Sequence, residues 1–163
     1  MTSSTRTPIS NVLSDTDKQT ATGGALQDCL VDLIGLALVG KQAHWNVIGP
    51  QFRSVHLQLD ELVALAREHA DAVAERAASI GVSADGRPAV VSRDTGVPEF
   101  GEGWRADVEV VRAVVEILEG LIARFRHRIE ETENTDLVTQ DLLIAVAGDL
   151  EKAHWMWQAQ VPR

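Results

Sequence analysis

His44, His56, Asp60, Asp71 and Glu75 are side chains whose types and spacing could hold a metal ion. Two imidazoles with three carboxylates and no thiolate make a nitrogen and oxygen donor set of intermediate to hard character. Such a set suits Fe(II), Mn(II) or Zn(II) rather than Cu(I), and iron adds redox chemistry. Carboxylate charge stabilises Fe(III) more than Fe(II), so the same donors would also favour oxidation. His44 stands just before a turn, Asn46-Val47-Ile48-Gly49-Pro50, and the other four residues follow within one stretch from Gln51 to Ile80. At 100° per residue, Asp60, Asp71 and Glu75 lie about 40°, 60° and 100° round a helix from His56, so the four share about a quarter of its circumference.

Axial distance decides how such a stripe could work. His56 and Asp71 are 15 residues apart, which at 1.5 Å per residue is roughly 22 Å along the helix. One ion cannot touch both. The stripe therefore divides into two half-sites, His56 with Asp60 and Asp71 with Glu75, and the corner at Pro50 would bring His44 beside the first. A second copy of the helix running antiparallel would bring opposite halves together. A two-fold dimer does this and makes two equivalent centres, each taking His44, His56 and Asp60 from one chain and Asp71 and Glu75 from its partner. Either pair alone is most often a solvated helix surface. The two acids at i,i+4 repel by a few tenths of a kcal/mol unless Arg67, Arg76 or a cation intervenes.

The elements that must position these residues are helices. The chain has 163 residues, 45% hydrophobic and 24% charged, enough for one domain with its own core. Residues 1–22 are rich in Ser, Thr, Asp and Asn and are expected to form a flexible N-terminal tail, with the folded domain over 23–161. From Gly23 to about Val47, Leu26, Leu30, Leu33, Ile34, Ala37 and Leu38 recur at spacings of three and four, as one face of a helix requires. A second helix from about Gln51 to Ile80 places Val55, Leu59, Leu62, Val73 and Ile80 in one arc, with Gly81 set to cap its end. Between Gly81 and Gly103 lie five of the 12 glycines and two of the five prolines, the mark of a long crossover, with a short helix over Pro88 to Arg93.

Helical periodicity resumes from Trp104 to about Thr132 through Val108, Val111, Val115, Leu118, Ile122, Phe125 and Ile129. The last helix carries Leu142, Leu143, Val146, Leu150 and Trp157 toward Val161, with Thr135 or Asp136 as its N-cap. Four long helices with two short turns and one long crossover between the second and third predict an all-α, ferritin-like four-helix bundle.

The residues also resemble a known family. His44-Trp45-Asn46-Val47, Gly49-Pro50-Gln51-Phe52, His56, Leu59-Asp60-Glu61-Leu62, Asp71 and Ala74-Glu75-Arg76 are similar to the signature of the Dps proteins, the DNA-protecting mini-ferritins of bacteria. Five ligand types at intervals of 12, 4, 11 and 4 residues carry the match; residues 81–103 match no motif. The resemblance implies a dodecameric cage with ferroxidase centres at its two-fold interfaces. Fe(II) would be oxidised there by hydrogen peroxide, or more slowly by oxygen, and stored as ferric mineral. His44, His56, Asp60, Asp71 and Glu75 match the family's ligands one by one. Trp45 matches an aromatic residue beside the centre, where it intercepts radicals or packs. Acids near the start of the family's last helix line a pore through which iron enters, and Glu133, Asp136 and Asp141 are the candidates here.

Charge bears on other partners. Lys and Arg number 15 against 24 Asp and Glu, a net charge of -9, which argues against general phosphate binding and favours cations. Family members that bind DNA commonly use a basic tail. Here Arg6 and Lys18 are offset by Asp15 and Asp17, and Lys152 and Arg163 face Glu151, so tail charge does not favour DNA. The alternative to an iron-oxidising cage is a nucleoid-binding, DNA-protecting cage whose metal site is mainly structural. No apolar run has the length of a membrane span, and a cytoplasmic protein is expected. The lone Cys29 is expected to be buried and without function. Among the other histidines, His69 and His154 are expected to be packed or hydrogen-bonded and His127 solvated, while Trp104, Trp155, Met156 and Trp157 are expected in the core or at subunit contacts.

Overall fold

A computed structural model describes residues 9–161. Among the described residues, five helices carry the fold: α1 (Thr16–Asn46), α2 (Phe52–Ser79), the short α3 (Pro88–Asp94), α4 (Asp107–Thr132) and α5 (Leu137–Gln158). Two dipeptides, β1 (Val47–Ile48) and β2 (Arg105–Ala106), form a small parallel bridge. The four long helices make the expected ferritin-like bundle, with α3 inside the long crossover between α2 and α4.

Their shared core holds Leu26, Leu33, Leu36, Leu59, Leu118, Phe125, Leu143, Leu150 and Trp157, none more than 1% exposed. Removing each such side chain from water contributes roughly 1.5–3 kcal/mol. α1 has the length and apolarity of a membrane span, but most of that stretch lies inside the bundle. Cys29 is buried among these groups, and its burial pushes the thiol well above its ordinary pKa, so it stays protonated.

Three boundaries differ from the sequence expectation. α1 begins at Thr16, so Thr16 to Thr22, expected in the tail, are helical. Asp15 caps this start by accepting from the Asp17 and Lys18 N–H groups, and the first turns are held from elsewhere in the chain. Gln19 donates to the Ile80 carbonyl at 2.7 Å, and the fully buried Thr22 bonds Thr135 at 3.0 Å. The first eight residues of the expected tail lie outside the described residues. α4 starts at Asp107 rather than Trp104, because Arg105 and Ala106 pair with Val47 and Ile48 instead; Trp104 is left 70% exposed and Val108 faces out. α5 ends at Gln158, short of Val161.

Other ends follow the expected chemistry. α2 closes in a Schellman motif, with the Gly81 N–H on the Ala78 carbonyl and the Val82 N–H on the Ala77 carbonyl. Gly81 takes φ +79° there, a conformation natural to glycine. Asp136 caps α5 by accepting from the Thr139 N–H at 3.1 Å. The crossover is anchored on α1 by Asp32, a carboxylate 2% exposed. It accepts from the Gly96 N–H at 2.7 Å, the Thr95 hydroxyl at 3.3 Å and the Arg124 guanidinium at 2.6 Å. The crossover thereby returns the chain to the α1–α2 corner, and α4 starts beside it.

Candidate metal centre

The corner between α1 and α2 brings His44 and His56 together. Their rings stack with centroids 3.6 Å apart and 22° between planes. Each Nδ1 lies on the other residue's backbone carbonyl, His44 Nδ1 to His56 O at 2.8 Å and His56 Nδ1 to His44 O at 2.9 Å. A carbonyl only accepts, so both Nδ1 atoms carry the hydrogen. In the neutral rings, Nε2 then holds the lone pair that a metal ion needs. The Phe52 ring tilts against His56 at 4.9 Å.

Asp60, one turn beyond His56 and half-buried, completes the cluster. Its Oδ1 lies 3.4 Å from His44 Nδ1 and forms an ion pair with Lys41 Nζ. The Lys41 hydrogen bond holds the Asp60 carboxyl below its ordinary pKa, with smaller help from the two histidines. The Lys41 ammonium thus brings a positive charge to Asp60.

Asp71 and Glu75 lie on the same unbroken α2, both exposed and, among the described residues, in no ion pair. Arg76, which could have neutralised Glu75, turns instead to α5. It meets Asp136 at 2.6 Å and Thr139 at 3.1 Å. Asp71 edges an apolar groove between α1 and α2, lined by Leu33, Ala37, Leu38, Arg67 and Ala74 among others. Leu38 of that groove and Trp45, Ile48 and Phe52 around the α1–α2 corner are 43–64% exposed.

Within one chain, no three His, Cys, Asp or Glu side chains among the described residues are arranged to hold a metal ion. The His44, His56 and Asp60 group has two imidazoles and one carboxylate already engaged by Lys41. It needs further anionic donors, and Asp71 and Glu75 are too far along α2 to supply them within the same chain.

The residues named for a pore separate. Glu133 and Asp141 are exposed, whereas Asp136 is buried. Burial pushes the Asp136 carboxyl up, but hydrogen bonds from Thr139 and Arg76 outweigh it and hold the pKa below the ordinary value. Asp136 thus joins α2 to α5. His69 bonds Asp149 at 3.0 Å, His154 meets Glu119 at 3.2 Å, and His127 is exposed beside Glu131. Trp157 is core, while Trp155 and Met156 are exposed.

The sequence reading overlooked Lys41 and Asp107. Lys41 lies one helical turn before His44, a spacing that puts both on one face. Asp107 gave no local sign of this role, because the corner residue it meets, Gln51, is 56 residues away.

Residues 24–163 match the family model for the ferritin-like domain. The DNA protection during starvation protein of Mycolicibacterium smegmatis is 41% identical over 137 residues, which are 83% of this chain and 74% of that protein. A protein of the same name from Agrobacterium fabrum is 34% identical over 139 residues, 85% of this chain and 86% of its own length. Among solved structures, DpsA14 from Streptomyces coelicolor superposes with a TM-score of 0.90 at 32% identity, covering 96% of this chain and 94% of that one.

Proposed function

Because the chain belongs to the Dps family of ferritin-like proteins, we propose that it is a ferroxidase subunit of an iron-storing cage that protects DNA by removing ferrous iron. The reciprocal His44 and His56 hydrogen bonds support this most directly, since they leave the Nε2 lone pair of each ring free. Asp71 and Glu75, exposed and unneutralised roughly 22 Å away on the same helix, are the matching half from the second subunit. The apolar groove beside Asp71 and the exposed Leu38, Trp45, Ile48 and Phe52 favour such a partner.

Fe(II) is the substrate. His44, His56 and Asp60 bind it, and the partner's carboxylates add the negative charge that favours Fe(III). Each Fe(II) gives up one electron, and two electrons together cleave the O–O bond of one hydrogen peroxide. Hydrolysis of the ferric product releases protons and leaves mineral in the cavity of a dodecamer built from two-fold dimers. Oxygen serves as a slower oxidant, and Zn(II) or Mn(II) fits the same donors. Trp45, which follows His44 in the chain and is 64% exposed, is proposed as the aromatic residue beside the centre. Glu133 and Asp141 are free to attract iron to a pore, whereas Asp136 is committed to Arg76 and α5. Fe(II) and peroxide added anaerobically to metal-free protein should give ferric absorbance well above the rate without protein. A rate equal to background would overturn the proposal.

Lys41 tempers the site. A ferrous ion must displace its ammonium from Asp60, so Lys41→Gln should bind Fe(II) a few-fold more tightly, because a competing cation is gone. Titration of both proteins at equal ionic strength measures this. Weaker binding by Lys41→Gln would mean that Lys41 organises the site instead of competing for it.

A further inference from the structure

The segment from Gly101 to Asp107 clamps the α1–α2 corner at three points. Gln42 donates to the Gly101 carbonyl at 3.2 Å, β1 pairs with β2, and the Gln51 N–H donates to Asp107 Oδ2 at 2.5 Å. Asp107 is 4% exposed and, among the described residues, has no cationic partner. Its other oxygen accepts from the Val108 N–H at 2.8 Å. The buried charge is therefore met by backbone N–H groups at the starts of α2 and α4, where helix dipoles also favour an anion. Gln51, the residue that precedes α2, contributes no side-chain cap of its own.

The facing residue is fitted to this carboxylate. Gly49 has φ +132°, and a Cβ there would lie 2.5 Å from Asp107 Oδ2. The tip of the corner and the first turn of α2 are thus fixed against Asp107. His56 lies in the next turn, and its alignment with His44 depends on two reciprocal bonds and a 3.6 Å stack. Donor placement within about 0.5 Å decides how well such a constellation binds.

We propose that Asp107 is a positioning residue for the metal half-site: by capping α2 from outside, it sets the roll of the helix that holds His56 against His44. This rests on the metal-centre proposal above. Co(II), whose visible ligand-field bands report donor geometry without any turnover, is the probe, added to the assembled protein. Asp107→Ala should bind Co(II) about tenfold more weakly, the order seen when groups that orient metal ligands are removed. Its band intensities at saturation should also change. Asp107→Asn, which keeps one acceptor oxygen, should show a smaller loss. Gly49→Ala, which pushes on the same carboxylate, should weaken binding too, and its loss combined with Asp107→Ala should be less than additive.

Mere destabilisation would leave the spectrum at saturation unchanged. Variants that assemble with normal helix content and match the wild-type affinity and spectrum would overturn the role of Asp107. If Asp107→Ala fails to assemble, Asp107→Asn and Gly49→Ala decide the question. If the wild type itself gives no ligand-field bands, the metal half-site is wrong, and this proposal falls with it.

Discussion

Replacing His56 and Asp60 together by Ala should lower the rate of ferrous oxidation by at least about 100-fold, since loss of mere orienting groups already costs 10- to 100-fold in affinity. Replacing Asp71 and Glu75 together should do the same, although these residues lie roughly 22 Å away on the same helix. The two inactive proteins should complement each other. When equal amounts are dissociated, mixed and reassembled, about half of the dimers contain one chain of each kind. Each mixed dimer has one centre with all ligands intact and one with none of the replaced donors. About a quarter of all centres, and hence of the wild-type rate, should return. Persistent inactivity in cages proven by mass to be mixed would exclude a centre shared between subunits. Centres contained within one chain would give no rescue, so the experiment separates the two geometries whatever the oxidant.

The largest expected effect on stability is at Arg76. Arg76→Ala leaves the buried Asp136 without its cation and cuts a link between α2 and α5. Breaking a fully buried pair costs 3–5 kcal/mol; here about 2 kcal/mol is expected, because Thr139 still holds the carboxylate. The pH dependence follows from the depressed pKa of Asp136. Its contribution is present above the unfolded carboxyl value near 3.9 and is lost as pH falls through the lower folded value. Urea midpoints of wild type and Arg76→Ala, at one protein concentration, should therefore lie far apart at pH 7 and converge below about pH 4. Equal separation throughout would mean that Asp136 contributes through its neutral cap alone. Glu75, which Arg76 leaves free, should lose less stability on replacement by Gln than Asp136 does.

The helices that carry the candidate centre were legible because their signals are local. Apolar residues at spacings of three and four marked the bundle, Gly49-Pro50 marked the corner, and Gly81 marked the end of α2. The candidate ligands and their intervals rest on the same local spacing, and the rise per residue separates them into the two half-sites proposed above. The start of α1 was not legible. Thr16 to Thr22 is polar, and its helix is held by Ile80 and Thr135, residues far along the chain. Nor was the exposed turn at Trp104, whose neighbours break from helical periodicity to pair with Val47 and Ile48.

By itself, the sequence determined the helical plan, the candidate donors proposed for the centre and the distance that prevents His56 and Asp71 from sharing an ion within one chain. All of these depend on residue type and on spacing along one helix. Only the tertiary structure decided which nitrogens of His44 and His56 remain free, that Lys41 engages Asp60, that Asp136 belongs to the fold, and that Asp107 braces the corner. Those outcomes come from hydrogen bonds between residues brought together by packing, where one donor or acceptor can serve only a few partners and sequence spacing says nothing of which it will meet.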